Sequence, residues 1–120
     1  MDSKEIKLKL PQWRIEEETG YKPMTTFYQD FSIADNFGID AIKDTYNKAF
    51  NEWKTNYKYI TELVLVLNWK IWSYYDSTQS EDSPTNKIAS VYNDLWIQLD
   101  QWCVDNLTGD ALKYYYSTTD

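Results

Sequence analysis

The sequence predicts an all-α protein, a compact bundle of four to five helices with an extended N-terminal arm. Glycine and proline number only three each in 120 residues, too few for a turn-rich β fold. Beyond residue 24 the apolar residues recur at helical rather than alternating spacing. The stretch Asn56 to Tyr75, NYKYITELVLVLNWKIWSYY, is too apolar to face water on any side, so the rest of the chain must wrap it. A chain of this length makes one domain and buries roughly two-thirds of the surface its unfolded form exposes.

Residues 1–24 form the arm and 25–120 the single helical domain. In the arm, IKLKL alternates with period two, Pro11 interrupts, and Gly20 and Pro23 punctuate its end. Trp13 and Tyr21 are its anchors. Glu16, Glu17 and Glu18 are a solvated run. The first helix starts at Thr26, where Gln29 completes a capping box, and runs to about Phe37 with Phe27, Phe31 and Ala34 inward. Gly38 supplies the left-handed residue that closes it. A second helix spans Ile39 to about Lys54, with Ile39, Ile42, Tyr46, Ala49, Phe50 and Trp53 on one stripe. Asp40, Asp44, Lys48 and Glu52 lie opposite, Asp44 and Lys48 being spaced for an i, i+4 pair.

No glycine or proline separates this helix from the central one, and the apolar phase runs on through Tyr57. A break near Thr55 and Asn56 is nevertheless expected, because a helix from Ile39 to Tyr75 would be about 55 Å long, more than so small a domain can bury. Within the central helix, Ile60, Leu63, Val64, Leu67, Ile71 and Tyr74 form the core stripe. Leu65, Trp69 and Trp72 fall on the opposite side, at i, i+4 and i+7, where a one-sided helix carries charge. Either other parts of the chain cover this ridge, the arm's aromatics being the natural candidates, or it binds a partner. Asn68 is expected to bond across helices and fix register.

The polar run DSTQSEDSPTN follows Tyr75 and joins helices without dividing domains. Ser83 before Pro84 marks the next helix start, and that helix should reach about Asn106. Its stripe is Ile88, Val91, Tyr92, Leu95, Leu99, Trp102 and Cys103. After Thr108 and Gly109, Asp110 sits at the positive end of a last short helix that carries Tyr114, Tyr115 and Tyr116.

With no histidine and one cysteine on an apolar stripe, the usual general base, the commonest metal ligand and a paired thiol nucleophile are all missing. Magnesium-dependent hydrolysis by facing helices needs carboxylates at i, i+3 or i, i+4 on both. Asp40 and Asp44 are so spaced, but Glu62, Asp94 and Asp100 are not, which makes a carboxylate hydrolase a poor alternative. The expectation is a protein that is not an enzyme and holds no cofactor or metal. A formal charge of −7 and a pI near 4.5 disfavour direct binding to nucleic acid or an anionic membrane. No stretch has the character of a membrane span or a signal peptide, so a reducing cytoplasm is expected.

The blocks TGYKPMTTFYQDFSIADNFG, DAIKDTYNKAFNEWKTNYKYITELVLVLNWKIW and NLTGDALKYYYSTTD together resemble a small uncharacterised family, a domain of unknown function, found in tailed phages and mobile elements of gut Firmicutes and Bacteroidetes. The resemblance covers nearly everything from Ile15 onward, the linker at Ser77 to Pro84 being longer than expected. It implies origin, a phage or prophage protein acting in bacterial cytoplasm, and transfers no functional residue. The function expected is therefore non-catalytic binding to a host or phage protein, such as a nucleic-acid-binding effector, as an anti-defence inhibitor of the anti-CRISPR type. The alternative is a homo-oligomeric structural or replication accessory protein. The candidate contact surface is Leu65, Trp69 and Trp72, then Tyr114, Tyr115 and Tyr116 and the acids Asp40, Asp44 and Glu52.

Overall fold

A computed structural model describes residues 23–119 of the chain. The expected arm, with Trp13 and Tyr21, lies outside them. Among the described residues the protein is an all-α bundle of five helices: α1 Pro23–Asp35, α2 Ile39–Trp53, α3 Tyr57–Tyr74, α4 Pro84–Asn106 and α5 Gly109–Thr119.

The helix α1 begins at Pro23, earlier than the capping box at Thr26 predicts. Proline's fixed φ suits a first helical position, where its missing N–H costs nothing. Phe27, Phe31 and Ala34 are buried as expected. The helix closes when the N–H groups of Phe37 and Gly38 return to the Ala34 carbonyl at 2.9 and 3.2 Å. Gly38 has φ 108° and ψ −175°, a mirror-extended backbone essentially reserved for glycine, not the left-handed helical one expected. That reversal lays α2 back along α1.

The break between α2 and α3 falls where the chain was expected to need one. Asn56 caps α3, its side-chain oxygen accepting the Tyr59 N–H at 3.2 Å, while its own N–H donates to the Trp53 carbonyl at 2.9 Å. The Trp53 and Tyr59 rings, 4.5 Å apart between centroids, pack across the corner.

Helix α3 is the centre of the bundle. Ile60, Leu63, Val64 and Leu67 of the expected stripe are buried, and Tyr59, Thr61, Val66 and Lys70 join them. Each large apolar side chain so removed from water contributes roughly 1.5–3 kcal/mol. Helix α4 lies along α3 and supplies Tyr92, Leu95, Leu99 and Cys103 to the same core. Helices α1 and α2 cover one flank of α3, and α5 covers the other near its first half. Tyr28 meets Trp69 and, farther on, Asp35 meets Tyr74, so α1 runs parallel to α3.

One side chain of α4 holds much of the linker before it, beside the linker's own turn at Asp76. Asn86 is buried; its oxygen accepts the Asp76 N–H at 2.8 Å, and its amide donates to the carbonyls of Asp76, Gln79 and Ser80 at 2.9, 3.4 and 2.9 Å. Ser83 caps α4 by accepting the Asn86 N–H at 3.2 Å, with Pro84 in the first turn, as the sequence indicates.

Candidate functional site

Two adjoining features of α3 set the chemistry of this surface, and the first is internal. Lys70, in the last third of the helix, turns inward, and its ammonium lies 2.6 Å from a carboxylate oxygen of Asp35, both side chains being buried. Asp35 also accepts the hydroxyl of Tyr74 at 2.5 Å and that of Tyr92 on its other oxygen. The ammonium donates to Ser32 Oγ at 3.2 Å and sits 4.8, 5.4 and 5.8 Å from the ring centroids of Tyr28, Tyr74 and Tyr92. A buried charge is tolerated only when paired and hydrogen-bonded, and both conditions are met. Burial first, then the hydrogen bond to Asp35, pushes the Tyr74 hydroxyl up to about 12, and the same causes raise Tyr92. The cluster ties α1, α3 and α4 together. Its ion pair is closed to solvent, while Tyr28 at its edge is exposed and Tyr74 half-buried, so the cluster positions the surface beside it.

The surface above it is aromatic. Trp69 is 55% exposed, Trp72 66% and Tyr75 53%. Among the described residues, the side of α3 expected to need a second layer is thus uncovered at its two tryptophans; the arm expected to cover it lies outside them. The physical reason is the packing around α3: α1 is drawn to the Lys70 side by the ion pair, α5 reaches only the half near Leu65, and the strip between them stays open. Tyr28 leans on Trp69 at 5.4 Å between centroids, and Trp72 meets Tyr75 edge to face at 5.9 Å. The result is a stripe of two ring pairs, Tyr28 with Trp69 and Trp72 with Tyr75.

The other expected contact residues are placed as follows. Leu65 is half-buried and, with Asn68, Trp96, Asp100, Tyr116 and Thr119, lines a depression of about 290 Å³ between α3, α4 and α5. Asn68 is exposed there rather than bonded across helices, lying one residue, about 100°, round the helix from Leu67 of the core stripe; the polar contact between helices is made by Lys70 instead. Tyr115 is buried and donates its hydroxyl to Asp100, which with burial raises its pKa; it is a packing residue, because its position on α5 faces α4. Tyr114 stacks edge to face on Tyr57, 5.4 Å between centroids, with Lys58 over its ring. Only Tyr116 of the three projects outward, being exposed.

Asp40, Asp44 and Glu52 are exposed on α2. Glu52 lines a separate groove between α1 and α2 with Asp30 and Lys48, and Lys48 acts on Asp30, whose carboxyl is raised by burial and lowered by the lysine. The depressions beside Leu65 and Trp72 are walled by α3, α4, α5 and the linker, so the α2 acids and the tryptophans do not form one site.

Residues not anticipated as contacts are Tyr28 and Tyr75. Tyr75 was within reach of sequence reasoning, since it lies three residues after Trp72 on the same side. Beside it a cleft of about 660 Å³ opens between the end of α3, the linker and the first half of α4.

Among the described residues no group of three or more histidine, cysteine or acidic side chains is placed to hold a metal ion, and no helix is long and apolar enough to cross a membrane. Cys103 is buried, and burial ahead of the neighbouring Asp100 pushes its thiol up to about 12, the opposite of an activated thiol. Compared with family models, curated proteins and solved structures, the chain has no match.

Proposed function

We propose that the protein acts without catalysis, by docking the aromatic stripe of α3 on a host or phage protein and altering what that protein does. The single observation that carries this reading is the exposure of Trp69 and Trp72 on the most apolar helix of the chain. Aromatic side chains give up substantial transfer free energy by facing water, and tryptophan and tyrosine dominate the energetics of protein interfaces. The charge of −7 favours a basic partner, as a nucleic-acid-binding effector would be. The resemblance of three sequence blocks to a phage family supports an anti-defence inhibitor of the anti-CRISPR type, acting in the bacterial cytoplasm.

The test is capture of partners by the tagged protein from a lysate of a bacterial host, at low and moderate salt, beside a Trp69→Ala/Trp72→Ala variant. One discrete protein should be retained, less firmly as salt rises, and lost with the variant while its helical content and melting temperature are kept. Recovery of the protein alone, as a discrete oligomer, would overturn the inhibitor reading and assign the stripe to self-assembly.

A further inference from the structure

The cleft at the end of the stripe has a chemistry of its own. Trp72 and Tyr75 form one wall, and the α4 side contributes the neutral Ser90 and Asn93. Among the described residues that line it, the carboxylates are Asp76 and Glu81 and none is basic. Asp76 is engaged by its own turn, accepting the N–H and hydroxyl of Thr78 at 2.9 and 2.6 Å and the Gln79 amide at 3.2 Å. Glu81 is exposed and lines the cleft.

The cleft also sits at the negative end of α3. The helical ladder stops where the Tyr75 N–H meets the Ile71 carbonyl, because the next N–H, that of Asp76, is diverted to Asn86. Carbonyls past that point have no helical donor and carry the partial negative charge of the helix terminus. No basic residue of α3 itself occupies its last turn. The faces of tryptophan and tyrosine attract cations as well. Ring faces, helix end and carboxylates therefore all favour a cation, and the volume lies within the range of ligand clefts, roughly 300–1,000 Å³.

We propose that this cleft receives an arginine side chain of a basic partner protein, its guanidinium stacking on Trp72 beside the edge-to-face Tyr75 ring and facing Glu81. Arginine fits better than lysine because its planar, weakly hydrated head stacks on aromatic rings while its donors reach a carboxylate. The assignment rests on the docking function proposed above and names the partner's chemistry at one end of the stripe.

The experiment is an NMR titration of isotope-labelled full-length protein with tri-arginine amide, against tri-citrulline amide as the uncharged near-isostere. With tri-arginine, the Trp72 indole and the Ser90 and Asn93 amide signals should shift and saturate, and added salt should weaken the binding. Trp72→Ala and Glu81→Gln should each weaken it about two- to five-fold, as expected for one exposed cation–π or charge contact. Equal shifts with tri-citrulline would overturn the cationic assignment while leaving the aromatic stripe as a docking site. Shifts scattered over the acidic surface, unaffected by either substitution, would overturn it as well. The wider reading fails separately, by capture of a partner that survives the loss of both Trp69 and Trp72.

Discussion

Lys70 and Asp35 form an ion pair 2.6 Å long inside the bundle, their side chains only 4% and 7% exposed. Taking two charges out of water is costly, so removing one partner leaves the other uncompensated in a poorly polarisable site. Lys70→Met should therefore destabilise the fold by about 3–5 kcal/mol, measured by urea denaturation. A loss under about 1 kcal/mol would mean that water reaches Asp35.

Buried tyrosines, around that pair and elsewhere in the core, make stability sensitive to alkali together with Cys103. Burial pushes Tyr46 and Tyr74 up to about 12 and Cys103 likewise; Tyr92 and Tyr115 are also raised. Each is a neutral acid held protonated by the fold, so its contribution is complete below the unfolded values of 10.0 for tyrosine and 9.0 for cysteine. It disappears as pH climbs from there towards about 12. The urea midpoint should hold through neutral pH and fall from about pH 9 to 10 upwards; a midpoint unchanged to about pH 11 would contradict the burial of these hydroxyls. Cys103 should react with a thiol reagent only as fast as the protein opens.

The stripe and the core of α3 should separate cleanly under mutation. Trp69→Ala and Trp72→Ala should each change stability by less than about 1 kcal/mol, whereas Leu67→Ala should cost about 2–5 kcal/mol. Against a captured partner the order should reverse, with either tryptophan costing about 2 kcal/mol or more in binding. Thermal melts and calorimetric titrations of the same three variants read both quantities. A tryptophan variant that melts like Leu67→Ala would return the stripe to the core.

Asn86 should behave as the latch of the linker. Asn86→Ala leaves the Asp76 N–H and the Gln79 carbonyl without this partner and takes one of two donors from the carbonyls of Asp76 and Ser80, at about 1–3 kcal/mol. Asn86→Asp is the sharper variant: it keeps an acceptor for Asp76 but turns a carboxylate towards the carbonyls of Asp76, Gln79 and Ser80. Hydrogen exchange at residues 76–83 should accelerate in both. Unchanged exchange in Asn86→Asp would mean that the linker holds its shape without this side chain.

The helices were legible because their signals are local. Ser83 with Pro84 and the apolar stripes of α2 and α4 each lie within a few residues of the structure they specify. Lys70 was not legible. A lysine between two tryptophans looks like part of a solvated face, and what draws it inward is a carboxylate on another helix together with tyrosines on α3 and α4. The same distance hid the site. The spacing of Leu65, Trp69 and Trp72 placed them on one side of α3, but whether that side is covered depends on where α1 and α5 settle. Burial of Tyr115 and exposure of Tyr116 likewise depend on the facing of α5, which three consecutive tyrosines do not announce.

The span of the Asp35 cluster also bears on how the chain is completed at the ribosome. Asp35 is made first, Tyr74 follows 39 residues later and Tyr92 57 residues later. At a synthesis rate of about 5–20 residues per second, the carboxylate waits roughly 3 to 11 s for its last hydroxyl. Until then no nascent chain can close the interior around Lys70, so the bundle locks late, once the first part of α4 has been made, and α1 spends the interval without its final partners.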